Sequence, residues 1–164
     1  MKNTALLVID LQNGLRNTFN FSNLIDKINQ KIDTYHNEDA PVIFMQHVDS
    51  DLTYGSTDWQ IVSAAHWSAS DRVFLKYHSD SFYETGLESY LHHLGVTTID
   101  VCGLQTEYCI DTAIRVGHDR GFKMVTTTGL NSTFDTNDLS AQQIIKHHEG
   151  IWNGAFAEVV GRNN

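Results

Sequence analysis

Thr97-Thr98-Ile99-Asp100-Val101-Cys102-Gly103-Leu104-Gln105-Thr106-Glu107-Tyr108-Cys109 is the stretch that decides the fold. Thr97 to Leu104 mixes β-branched and apolar side chains, as in a strand buried on both faces. From about Glu107 to Arg120 the period changes. Ile110, Ala113, Ile114 and Gly117 fall on one helical face, and Gly121 ends it. The stretch therefore predicts a strand, a sharp turn and a helix, with Cys109 in the first helical turn. A thiol inside a strand is usually inert packing. On a strand-to-helix turn it can be a nucleophile.

The same alternation continues on both sides. Ala5 to Asp10 is a continuous apolar run closed by an acid. Ser22 is the expected cap of a helix whose apolar positions are Leu24, Ile25, Ile28, Ile32 and Tyr35. Pro41, the single proline, opens a second strand, Val42 to Val48. Asp49 to Ser70 is polar with interspersed aromatics and reads as a loop that walls a pocket, with a short helix around Trp59 to His66. A third strand covers Arg72 to Tyr77, and a helix covers about Tyr83 to Leu94, stopped by Gly95. A fifth strand over Lys123 to Leu130, a helix over Ser140 to Trp152 and a last strand over Phe156 to Val160 complete the pattern. Six strands alternating with helices predict a three-layer α/β/α, doubly wound, Rossmann-like parallel sheet, in one domain over residues 1–164.

In such sheets, ligands bind beyond the carboxyl ends of the strands, where strand order reverses. Asp10, Lys76 and Cys109 lie at or just after the ends of the first, third and fourth strands. They are expected to gather there as base, charge partner and nucleophile. The first helical turn and the Lys76 ammonium are each expected to lower the thiol pKa. Main-chain amides of Gln105 and Cys109 are the expected donors to a developing oxyanion. A cis peptide bond between Leu104 and Gln105 is expected to aim both inward.

Composition narrows the partners. The chain has 164 residues, is 41% hydrophobic and carries a net charge of −9, with no basic run. Nucleic acid and anionic membranes are disfavoured partners. Its apolar runs are too short to span a bilayer. Met1-Lys2-Asn3-Thr4 leads directly into a strand pattern rather than an apolar leader, so a cytoplasmic protein is expected. Cys102 and Cys109 are too few for a disulfide framework, and Cys102 is read as packing. His47, Asp49 and His66 form an alternative zinc set by ligand type; the primary expectation is no metal and no cofactor.

The same residues carry a resemblance to the isochorismatase-like superfamily of cysteine hydrolases. The matching segments are Val8-Ile9-Asp10-Leu11-Gln12-Asn13, Lys76 with Ser81-Phe82 beyond it, and Gly103 to Cys109 running into Asp111-Thr112-Ala113. The resemblance implies an Asp-Lys-Cys triad of Asp10, Lys76 and Cys109 and a thioester intermediate. It also implies the Leu104–Gln105 cis bond, oxyanion amides at Gln105 and Cys109, and a homodimer or larger homo-oligomer. Isochorismatases proper cleave a vinyl ether and lack the nucleophilic cysteine, so Cys109 points to hydrolysis of a small amide or related C–N bond. Nicotinamidases hold a metal with an Asp-x-His pair; here the order is His47-Val48-Asp49. The expected substrate contacts are Gln12, Trp59, Phe82 and Tyr108. The alternatives are a vinyl-ether hydrolase and a catalytically silent relative that binds a metabolite.

Overall fold

The structure, a computed structural model, describes residues 1–162. Six strands form one sheet: β1 (Thr4–Ile9), β2 (Val42–His47), β3 (Arg72–Lys76), β4 (Thr98–Leu104), β5 (Lys123–Ser132) and β6 (Glu158–Val160). Their order is β3-β2-β1-β4-β5-β6, and every pairing is parallel. The chain winds outward from β1 to β3, returns to β4 beside β1, and winds outward again. Strand order thus reverses between β1 and β4, as the α/β alternation predicts.

Alternation along β1 explains the layers. Ala5, Leu7 and Ile9 enter one core with Leu87, Ile110, Ile114 and Trp152. Leu6 and Val8 enter the other, with Leu24, Ile28, Ile32 and Tyr35 of α1 (Phe21–Asn37). Each fully buried aliphatic side chain stabilises the fold by roughly 1.5–3 kcal/mol relative to exposure. A central strand with two such faces is therefore continuous in apolar residues. The remaining helices are α2 (Leu87–His93), α3 (Asp111–Asp119) and α4 (Ala141–Trp152). Among the described residues, no helix is long and apolar enough to cross a membrane.

β1 and β4 approach closely where they matter. Gly103 has φ 119°, and a Cβ there would lie 2.1 Å from the Ile9 carbonyl oxygen. Any side chain would force the two strand ends apart, so glycine is required at this position. The next peptide bond but one along the chain, Leu104–Gln105, is cis.

Several boundaries differ from the sequence expectation. The helix expected from Tyr83 begins only at Leu87, because Glu84 and Gly86 have φ of 54° and 79°. Side-chain bonds hold this non-helical turn: Phe82 N donates to Asp80 Oδ1 and Thr85 Oγ1 donates to the Ser81 carbonyl. α1 starts at Phe21 after a left-handed Asn20, so Ser22 lies inside the first turn and does not cap it. α4 does start at a serine cap, where Ser140 and Gln143 form a reciprocal capping box. No helix forms between Trp59 and His66. Instead, Ile61 bridges Gln12 and Val62 N donates to the Leu11 carbonyl, tying this excursion to the end of β1.

Candidate active site

Each reactive side chain is set by the end of a strand. Asp10 follows β1 with φ 51°, a left-handed conformation that aspartate tolerates better than most residues. Its amide donates to the Met45 carbonyl, and its own carbonyl accepts from Gln12 N. Lys76 is the last residue of β3 and is 1% exposed. Two strand spacings separate β3 from β1, about 10 Å, which is within reach of a lysine stem. Cys109 lies in a π-helical turn, Thr106–Ile110, that joins β4 to α3. Its wider ladder is closed by Ile110 N donating to the Gln105 carbonyl at 3.1 Å. Thr106 Oγ1 donates to Asn131 Oδ1 at 2.7 Å and fixes the start of the turn on β5.

The three side chains meet. Lys76 Nζ is 2.9 Å from Asp10 Oδ2 and 3.1 Å from Cys109 Sγ. It also donates to His47 Nδ1 at 2.9 Å and to the His78 carbonyl at 3.2 Å. Asp10 Oδ1 is shielded from solvent and has no hydrogen-bond partner. One carboxylate oxygen thus holds the ammonium, and the other stands ready to take a proton.

Electrostatics here differ from the expectation at the sulfur. Burial, then the neighbouring Asp10 charge, pushes the Cys109 thiol up to about 12; Lys76 opposes them without prevailing. The resting thiol is protonated, which corrects the expected lowered pKa. For Lys76, burial disfavours the ammonium, but the Asp10 carboxylate and Cys109 outweigh it and leave the pKa raised. Burial and the Lys76 charge hold His47 below its usual 6.5. A neutral His47 accepts from Lys76 at Nδ1, and its Nε2 faces Asp49 Oδ2 at 3.2 Å. Sequence reasoning missed this role for His47. The signal lies in the β2–β3 register, which sets His47 directly beside Lys76.

A cavity of about 1040 Å³ opens over this cluster, and Asp10, His47, Gln105, Tyr108 and Cys109 are among its walls. Tyr108, more than half exposed, takes the expected position. Three other expected substrate contacts do not. Phe82 is 5% exposed and stacks on Phe122 in the core, because the turn after Lys76 folds inward. Trp59 packs its ring on Tyr54, and its carbonyl accepts from the side chains of Gln12 and Gln46. Gln12 is fully buried; its Nε2 donates to the carbonyls of His47 and Trp59, and its Oε1 accepts from His47 N. It is a strut between β1, β2 and the excursion. Sequence reasoning also missed Arg16, which lines the cavity from the segment that leaves the end of β1; Phe134 lines it from the segment that leaves β5.

The zinc set does not assemble. His66 Nδ1 pairs with Asp33 at the surface at 2.9 Å, away from the His47–Asp49 contact. Among the described residues, the set of donors close enough to hold a metal is Asp10, His47 and Cys109, with donor atoms within 4.8 Å of one another. Lys76 Nζ already touches a side-chain atom of all three. The Lys76 ammonium is thus already a cation among these donors.

An aspartate, a lysine and a thiol thus gather beside a strand-edge cavity. The family model for the isochorismatase domain matches residues 4–147. The chain belongs to the isochorismatase family of hydrolases. A crystal structure of an isochorismatase family protein superposes with a TM-score of 0.95 at 38% identity, covering 98% of this chain and 99% of that one. The uncharacterized isochorismatase family protein YddQ of Bacillus subtilis is 26% identical, over 95% of this chain and 94% of its own. Nicotinamidase 3 of Arabidopsis thaliana is 26% identical, over 82% of this chain and 75% of its own.

Proposed function

We propose that the protein is a cysteine hydrolase that cleaves a small amide or related C–N bond through a thioester. The observation that carries this reading is one ammonium, Lys76, within 2.9 Å of Asp10 and 3.1 Å of the Cys109 sulfur at the floor of a cavity. A relative whose name is that of an amidase, nicotinamidase 3, adds support.

A thiol titrating at about 12 is almost wholly protonated at neutral pH. Burial and the Asp10 charge disfavour the free thiolate there. Proton transfer is therefore coupled to attack. As Cys109 Sγ bonds to the carbonyl carbon, its proton passes to Asp10. Lys76 balances the charge that stays among Asp10, the sulfur and the substrate. The amides of Gln105 and Cys109 hold the oxyanion, each worth roughly 3–4 kcal/mol of barrier when well aimed. The C–N bond then breaks, and Asp10 returns the proton to the leaving nitrogen. Water, deprotonated by Asp10, attacks the thioester carbonyl, and the sulfur leaves with that proton. His47, neutral and bonded to Lys76, holds the ammonium toward the other two groups. We place this chemistry in a cytoplasmic homo-oligomer that needs no metal.

A screen of primary amides, ureides and lactams for ammonia or amine release, with Cys109→Ala as the control, tests the reading. Release by the native chain and none by the variant is the expected result. Equal release by both would end the covalent mechanism. A vinyl ether as the single substrate, or binding without turnover, would favour the two rival readings.

A further inference from the structure

α4 is tied to the nucleophile turn at both ends of that turn. Glu149 and Trp152 lie three residues apart on one face of this helix, and both are buried. Trp152 Nε1 donates to Asp111 Oδ1 at 2.7 Å, just after the π-helical turn. Glu149 reaches the start of the turn through one intermediary. Its Oε1 accepts from Asn131 Nδ2 at 3.0 Å, and Asn131 Oδ1 accepts from Thr106 Oγ1 at 2.7 Å. Thr106, Asn131 and Glu149 are each at most 3% exposed, so these bonds form away from water.

The carboxylate at the far end fixes the direction of each bond in this chain. Arg162 Nη1 lies 3.8 Å from Glu149 Oε2, and Thr128 Oγ1 donates to the same oxygen at 3.3 Å. A carboxylate accepts and cannot donate, so Asn131 must present its amide nitrogen to Glu149. Its carbonyl oxygen is then left for Thr106, whose hydroxyl must donate. Without an acceptor at position 149 the Asn131 amide is free to turn over, and Thr106 loses its defined partner. Thr106 opens the turn that holds the Cys109 sulfur 3.1 Å from Lys76 Nζ. Misplacing reacting atoms by about 1 Å from a remote position can cost about 100-fold in rate. Glu149 is not among the walls of the cavity over Cys109; it lines a separate cavity of about 400 Å³ beside α1 and β5.

We propose that Glu149 is a positioning residue for the reaction at Cys109, acting through Asn131 and Thr106 on the turn that aims the sulfur. What the sulfur attacks rests on the hydrolase reading above. The aim of the sulfur is measurable without turnover, by alkylation of Cys109 with iodoacetamide followed by mass spectrometry. Cys102 is fully buried, and Cys109→Ala reports any label there.

Glu149→Met keeps the length of the side chain and removes the acceptor. It should slow alkylation about fivefold or more and lower kcat about 10- to 100-fold, with KM within about twofold of native. Glu149→Gln retains an acceptor for Asn131 and should restore both rates to within about threefold of native. A merely structural role would not give the next result. On a Thr106→Val background, Glu149→Met should have no further effect on alkylation or kcat, because the path is already cut. Additive losses in the double variant overturn the proposal, as do native rates in Glu149→Met. Thr106→Val keeps the test decisive should Glu149→Met fail to fold. Native alkylation and kcat in Thr106→Val overturn the proposal; loss there with recovery in Thr106→Ser sustains it. Coupling in alkylation with no turnover of any amide would sustain this inference and count against the hydrolase reading. Amide hydrolysis that Glu149→Met leaves unchanged would do the reverse.

Discussion

The molecule contains two sets of aspartate, lysine and cysteine, and they are built to opposite effect. Asp100 of β4 pairs with Lys31 of α1 at 2.7 Å and accepts from Tyr35 Oη at 3.1 Å. Both charges act on Cys102, which is fully buried in the middle of β4. Asp10, Lys76 and Cys109 repeat the composition at the carboxyl edge of the sheet, below a cavity. Burial raises the pKa of both thiols. The difference is access and a direct contact. Lys76 Nζ touches the Cys109 sulfur and Cys109 faces the cavity, whereas Cys102 is closed to solvent. Composition therefore does not separate the two clusters; position at the strand end gives one of them access to a cavity.

The sharpest way to break this contrast is at the sulfurs. Cys109→Ala should lower turnover by at least about 10⁴-fold, and Cys102→Ala should leave kcat/KM within about twofold, in the ammonia-release assay. Comparable losses from both would erase the distinction. Next come the carboxylates. Asp10→Asn should cost about 10²- to 10⁴-fold in kcat, the usual contribution of a general base. Asp100→Asn should change melting temperature and leave kcat alone.

The lysines sharpen the comparison in stability. Removing Lys31 leaves Asp100 buried without its cation, a loss of up to about 3 kcal/mol at neutral pH by denaturant unfolding. Burial already raises the Asp100 pKa over the opposing pull of Lys31. An acid with a raised native pKa contributes stability at low pH and loses it as pH rises through that pKa. Lys31→Met should therefore recover stability on mild acidification. The smallest effect concerns His47. Its native pKa lies below 6.5, so the stability gained from the neutral ring holds above that value and fades as pH falls through the lowered pKa. The acid limb of kcat/KM should include this step, and His47→Gln should remove it while costing about tenfold or less in kcat.

How much of this was legible depended on whether the information was local. The alternation of apolar runs and helical faces needed only neighbouring residues, and it yielded the doubly wound parallel sheet; the switch point between β1 and β4 required the strand order of the folded chain. Asp10, Lys76 and Cys109 were legible as ends of runs. The partnership of Lys76 with His47 was not, because it depends on the register of β2 against β3. Phe82 followed a catalytic strand end and was read as a pocket wall. Side-chain bonds in the Asp80–Thr85 turn instead direct the chain back to the core. Gln12 carried a motif position but works as a strut among backbone carbonyls that meet only in the folded chain. The sulfur was misjudged in sign because the local helix-terminus rule ignores burial, and burial dominates here.

One consequence of the long reach of Lys76 concerns the sheet itself. β3 lies at the border of the sheet, hydrogen-bonded to β2 alone. Border strands can slide, and a slide of one residue would swing every side chain of β3 to the opposite surface. Lys76 passes the end of β2 and is held by Asp10, beyond β1 two strands inward, and by Cys109, beyond β4. A displaced β3 would leave an aspartate, a histidine and a thiol without their shared ammonium. The cluster therefore doubles as a clasp on a border strand, whose alignment is enforced by the same side chain that touches the sulfur.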